Sequence, residues 1–250
     1  MTSNAAQGSP WLGNDSGGSA LGSYDAEYDM PSQVSVNSGL TLNAVQQSIT
    51  AGGVTYPFTS GVLTTYGKME FTGGYLQISI KQPSGDGAWP ALWMLPGSGA
   101  GSSGDNFEID MQEGGMTAGS ANPNDVFSYH LHDSGGTFGG DVNAGVDLSA
   151  GFNTYGMNWI PGKSITFYLN GQQVGQITSA QTTIPDEPME LIMSNEVANS
   201  SASGWHTTLD GSTPNSMPMQ VADVQLYQTP GSGETIMGSN VTAGSTGTGT

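Results

Sequence analysis

Turn-forming residues punctuate this 250-residue chain about every 8–15 positions, and no apolar 3.6-residue period survives between them. Gly52-Gly53, Gly73-Gly74, Pro161-Gly162-Lys163 and Asn170-Gly171 mark the clearest turns, and Asn-Gly is the strongest two-residue hairpin signal. Short strands are expected between them. Two or three fall in 34–65, a long region over 66–82 is bent or bulged at Gly73-Gly74, a tryptophan-bearing strand and an acidic strand follow, and further strands cover 126–133, 155–160, 164–169, 172–177, 189–195 and 217–227. The expected fold is all-β, an antiparallel β-sandwich. The 39 glycines and a hydrophobic content of 35% agree with short strands joined by turns. A chain this long accommodates one large β domain or two smaller ones.

The acidic strand concentrates charge in a chain that is only 10% charged. In Phe107-Glu108-Ile109-Asp110-Met111-Gln112-Glu113, the apolar residues alternate with Glu108, Asp110 and Gln112, so one face is buried while Glu108 and Asp110 share the other. Glu113 falls on the wrong face of a regular strand. A β-bulge near Met111-Gln112 returns it to the side of Glu108 and Asp110, and bulges re-aim side chains in this way next to active sites. Three readings of the row compete: a carboxylate pair for retaining glycoside hydrolysis, a solvated acidic face, and oxygen ligands for Ca²⁺.

Composition excludes several partners. The net charge is -18 and the basic residues are Lys68, Lys81 and Lys163 alone, so no basic patch exists to neutralise nucleic-acid phosphates or an anionic membrane surface. With 0 Cys there is no disulfide framework and no thiolate metal site. No apolar run approaches a membrane span, and no cleavable signal peptide is visible near Met1. Residues 1–22 are expected to be flexible with Trp11 as an anchor, 23–229 to form the working domain, and 230–250 to be a Gly/Ser/Thr-rich linker or tail. That tail favours a fragment or multi-module protein. In the strand over 126–133, His130 and His132 share a face compatible with a zinc pair, but no third ligand is evident, and a polar cleft or structural pair is the expected reading.

The chain resembles glycoside hydrolase family 16, the β-jelly-roll endo-glycanases. The resemblance rests on Tyr66-Gly67-Lys68-Met69-Glu70, on the run from Gly87 to Pro96 with Trp89 and Trp93, and on Glu108-Ile109-Asp110-Met111-Gln112-Glu113, which matches the bulged form of the family's active-site motif. The hairpin pair over 155–171 and the closing segments 195–205 and 217–227 follow in the family's order, so the likeness covers roughly 24–228. It implies a jelly roll with a concave substrate cleft, with Glu108 as nucleophile, Asp110 as its assistant and Glu113 as general acid/base.

By the same resemblance Trp89, Trp93 and Trp205 are expected in the cleft, with Trp159 divided between cleft and core. His130 is expected to contact the sugar on the leaving side and Asn195 a sugar hydroxyl. No cofactor is required. Val221-Ala222-Asp223 departs from the family's Val-Asp pairing, which bears against the structural calcium on the convex face. The implied activity is endo-acting retaining hydrolysis of a polysaccharide, β-1,3- or β-1,3/1,4-glucan or a bacterial exopolysaccharide, by an extracellular monomer. A non-catalytic carbohydrate-binding jelly roll and a transglycosylase are the alternatives.

Overall fold

The computed structural model describes residues 21–37, 39–98, 107–117, 122–229 and 231–238. Trp11 and most of the segments 1–22, 97–104 and 230–250 lie outside the described residues.

The chain folds into a jelly-roll sandwich of two sheets. One, the site sheet, runs in the order Gly136–Asn143, Val126–Asp133, Glu108–Gly114, Ala88–Pro96, Met189–Val197, Met69–Thr72 and Thr235–Gly238, with Val62–Thr64 also against Met189–Val197. The outer sheet runs Glu27–Asp29, Phe58–Ser60, Leu40–Val45, Ser216–Tyr227, Gly74–Lys81, Asn153–Ile160, Ser164–Leu169 and Gln172–Thr178, with Val34–Val36 on the side of Leu40–Val45. Pairing is antiparallel except between Glu27–Asp29 and Phe58–Ser60. Ile49–Ala51 and Val54–Tyr56 form a separate small hairpin.

Alternation of side chains produces the core. Along Gly74–Lys81, Leu76, Ile78 and Ile80 are fully buried while the residues between them are half-buried. Leu92, Ile109, Leu131 and Met193 of the site sheet belong to the same apolar cluster. Trp159 lies in that cluster, edge-on to Phe71 at 6.0 Å, and its indole N–H donates to Pro185 O at 2.9 Å. It is therefore core and has no part in the cleft. Trp159→Ala is expected to destabilise the fold by about 3–5 kcal/mol, read from the denaturant midpoint.

Several expectations change. The 34–65 stretch holds six strands, most only three residues long, too short to display a period of two in sequence. The region expected as one bent strand over 66–82 is two strands in different sheets. Gly73 and Gly74, at φ +69 and +115, carry the chain across, and a Cβ on Gly74 would lie 2.6 Å from Tyr227 O. Gly136–Asn143 and Glu27–Asp29 were hidden by glycines and charges that β-propensity disfavours. Within the expected tail, Thr235–Gly238 pairs with Met69–Thr72. Asn170 (φ 49) and Gly171 (φ 79) form the expected tight hairpin turn.

Candidate active site

The bulge is where the sequence places it. Asp110 pairs with His130 and Glu113 with Ser128, so three steps along the acidic strand match two along its neighbour. On the other side Leu92 pairs with Gln112 and Trp93 with Asp110, which leaves Met111 as the extra residue. Met111 and Gln112 are both buried. Consequently Glu108, Asp110 and Glu113 all line one cavity of about 240 Å³, together with Trp89 and Trp93. A larger cavity of about 570 Å³, between Phe107 and residues 179–187, contains none of these carboxylates. Convergent chemistry, and not volume, picks out the site.

Each carboxylate has a different setting. Glu113 is held from three directions: the Trp89 indole N–H donates to Oε1 at 3.1 Å, the Ser128 hydroxyl donates to Oε2 at 3.2 Å, and His130 Nδ1 lies 3.3 Å from Oε2. Asp110 is only 2% exposed and hydrogen-bonds to Glu108 on one side, while His132 Nε2 lies 2.9 Å from its Oδ2 on the other. Burial, reinforced by the charges of Glu113 and Glu108, pushes the Asp110 carboxyl well above the usual range. Glu108 is also raised, mainly by burial, although the Asp110 hydrogen bond and the His132 charge pull it down. Asp110 is thus the acid that keeps a proton, and it donates that proton toward Glu108. Thr137 Oγ1, 2.9 Å from His132 Nδ1, completes a chain of hydrogen bonds from Thr137 through His132 and Asp110 to Glu108.

A glycine makes room for His130 beside Glu113. Gly139 sits opposite His130 at φ +147, and a Cβ there would lie 2.0 Å from Tyr129 O and 2.7 Å from His130 Cδ2. The glycine at this position is what lets the strand missed in sequence, Gly136–Asn143, lie this close to His130.

Of the remaining expected residues, Trp89 and Trp93 line the cavity and Trp205, 39% exposed, packs edge-on to Trp89 at 5.3 Å. The Trp93 indole donates to Ser194 Oγ at 3.0 Å. Asn195 is a correction. It is 0% exposed, and its amide donates to Leu42 O at 2.9 Å and Met217 O at 2.7 Å, tying the site sheet to the outer sheet. The reason is parity: Ser194 and Glu196 pair with Ala91 and Trp89 and share their face, so Asn195 between them points the other way.

Sequence reasoning missed Glu196, Asp25 and Tyr24, which line the same cavity, and Leu21 and Gly22, which line it from within the segment expected to be flexible. Glu196 accepts from Ser194 Oγ at 2.7 Å. Its spacing from Ser194 was the available signal. Leu21 and Leu95 pack against the apolar cluster that includes Trp93. At the departure from the family pattern, Ala222 is a bulged residue between Val221 and Asp223, and Asp223 is exposed. Asp223 belongs to no convergent group of three or more side-chain metal ligands among the described residues.

Buried acids also set the pH response of the fold. Burial pushes Asp25 up to about 6 and Glu190 up to about 7, and Glu27, Asp29 and Glu196 are raised well above the usual range by burial and then by the charge of Asp25. The folded state holds these protons more tightly than the unfolded chain, whose carboxyls titrate near about 4. Their stabilising effect is therefore complete below about pH 4 and is lost as pH rises through 6 to 7. The melting temperature is expected to fall from pH 5 to pH 8. Glu190→Gln, which keeps an acceptor for Thr64 Oγ1, is expected to add about 1–3 kcal/mol at pH 8 and little at pH 5, measured by thermal unfolding.

The jelly roll thus presents a row of carboxylates beside Trp89 and Trp93 in one pocket. The family model "Glycosyl hydrolases family 16" matches residues 23–213, and the chain belongs to that family. It is 28% identical over 181 residues to the endo-1,3-1,4-beta-glycanase ExsH of Rhizobium meliloti (strain 1021), covering 71% of this chain and 37% of that protein. It is 30% identical over 186 residues to a beta-glucanase of Rhodothermus marinus, covering 68% of this chain and 63% of that protein. The chain therefore spans between about a third and two thirds of these relatives' lengths. Among solved structures, the laminarinase catalytic domain from Thermotoga maritima MSB8 superposes with a TM-score of 0.71 at 25% identity, covering 92% of this chain and 90% of that one.

Proposed function

We propose that this chain is an endo-acting retaining β-glycanase that cuts internal β-1,3 or β-1,3/1,4 bonds of a glucan or of a bacterial exopolysaccharide. The observation that carries this reading is the bulge that brings Glu113 into the cavity with Glu108 and Asp110. In the first step a Glu108 oxygen attacks the anomeric carbon and forms a glycosyl ester, while Glu113 gives its proton to the departing glycosidic oxygen. In the second, Glu113 takes a proton from water, the water oxygen bonds to the anomeric carbon, and Glu108 leaves as a carboxylate. The proton on Asp110 hydrogen-bonds Glu108, steadying it both as the attacking carboxylate and as the leaving group. Trp89, Ser128 and His130 aim Glu113. Trp89, Trp93 and Trp205 supply apolar surface for sugar rings, and His130 the polar contact beside Glu113.

The names of the relatives, β-glucanase and endo-1,3-1,4-β-glycanase, support glucan-type polymers. The near absence of basic residues argues against sulfated ones. The catalytic unit is assigned to residues 23–229, with Thr235–Gly238 adding an edge strand. An extracellular monomer suits a substrate too large to enter a cell. No helix among the described residues is long and apolar enough to cross a membrane.

Reducing-end release from laminarin, mixed-linkage glucan, agarose and a succinoglycan-type exopolysaccharide tests the reading. Release from one glucan or exopolysaccharide is expected. Tight binding with no release from any polymer between pH 4 and 8 would instead favour a carbohydrate-binding module, and longer oligosaccharides in place of new reducing ends would favour transglycosylation.

A further inference from the structure

The third ligand that the His130–His132 pair lacks in sequence is supplied by the neighbouring strand. Asp110, His130 and His132 each offer one ligand atom, and these atoms lie within 4.8 Å of one another. His132 Nε2 and Asp110 Oδ2 are already 2.9 Å apart. A tetrahedral site with bonds of about 2.0–2.1 Å has edges of roughly 3.3 Å. Closing such a site needs shifts of a few tenths of an ångström between His132 and Asp110 and of no more than about 1.5 Å at His130, and both imidazoles are partly exposed and so have room to adjust. Asp110 is buried and fixed, so it forms the rigid corner.

The outer shell is also present. Thr137 Oγ1 sits 2.9 Å from His132 Nδ1, the ring nitrogen that would remain free of metal, and a hydroxyl accepts from an N–H as readily as it donates. Two imidazoles and one carboxylate form a donor set suited to borderline transition ions and not to Ca²⁺ or Mg²⁺, which take oxygen ligands. His206, the third histidine of the chain, has both ring nitrogens against backbone carbonyls of Thr207 and Gly114 and offers no competing site.

We infer that Asp110, His130 and His132 form an inhibitory binding site for a divalent transition ion such as Zn²⁺, at the catalytic carboxylates themselves. The bound ion displaces the proton through which Asp110 hydrogen-bonds Glu108, releasing it to bulk water, and draws the His130 ring away from Glu113. The inhibition half of this inference rests on the catalytic reading above, and the binding half does not.

The test is calorimetric titration of Zn²⁺ into the whole chain, with Co²⁺ as a spectroscopic probe of coordination, in parallel with hydrolysis assays. Wild type is expected to bind one Zn²⁺ and to show a Co²⁺ absorption band that Zn²⁺ displaces. His130→Gln and His132→Gln, checked for folding by melting without metal, are expected to lose both signals. Thr137→Val leaves every ligand in place and is expected to weaken Zn²⁺ by about tenfold or more. Zn²⁺ is expected to stop hydrolysis by wild type, with recovery on adding EDTA. No Zn²⁺ binding, or binding undiminished in both histidine variants, overturns the site. Binding that leaves hydrolysis unimpaired overturns the inhibition. Binding by a chain that hydrolyses no polymer at all counts against the glycanase reading and leaves the site standing.

Discussion

Glu108→Gln is expected to lower kcat/KM on the chain's polysaccharide by on the order of 10⁴-fold or more while leaving the fold and polymer binding intact. The amide keeps the volume of the side chain and an acceptor oxygen, so packing around the cavity is preserved. It cannot form the glycosyl ester, and without that bond the route falls back on direct attack by water with no general base placed for it. Circular dichroism and affinity electrophoresis check the fold and the binding. Because burial raises the Glu108 carboxyl, the acidic limb of the wild-type kcat/KM profile is expected above the ordinary glutamate range of about 4.3. A limb at or below that value would show that Asp110 and His132 outweigh burial.

The second large effect is expected from Glu113. Glu113→Ala removes the proton donor for the first step and the base for the second, a loss of about 10²–10⁴-fold on polysaccharide. The two steps separate by leaving group. An aryl glycoside with a dinitrophenolate leaving group needs no proton to depart, so its glycosylation step is expected to stay fast and the ester to accumulate. Azide, which attacks without a base, is then expected to restore turnover and to yield a β-glycosyl azide. The same rescue is not expected for Glu108→Gln, because no ester forms there. Removing the Trp89 or Ser128 donor leaves Glu113 present but less well aimed, a smaller effect.

Much of this site was legible in sequence because it depends on neighbours along one strand. The alternation in 107–112 and the extra residue before Glu113 carry enough information to predict a bulge and a shared face. What was not legible depends on register between strands. The link from His132 to Asp110 exists because Val126–Asp133 pairs in one particular register with Glu108–Gly114, and nothing in either segment alone fixes that register. Asn195 shows the same limit from the other side: an error of one in parity exchanges a cleft residue for a sheet-to-sheet tie. The outer fold follows the same division. Hairpins with strong turn chemistry, such as the one at Asn170-Gly171, are visible, whereas three-residue strands and the crossing at Gly73-Gly74 arise from tertiary packing. Asp25 and Glu196, well apart in sequence, meet only in the folded cavity wall.

The covalent step at Glu108 is the centre of the proposed mechanism. Incubating the wild-type chain with a 2,4-dinitrophenyl 2-deoxy-2-fluoro-β-glycoside, which forms the ester but releases it slowly, and then mapping the peptides by mass spectrometry tests that step. One sugar per chain, attached to Glu108 and absent in Glu108→Gln, is the predicted result. A sugar attached to Glu113 or Asp110, or none on a chain that still cuts its polysaccharide, would contradict it.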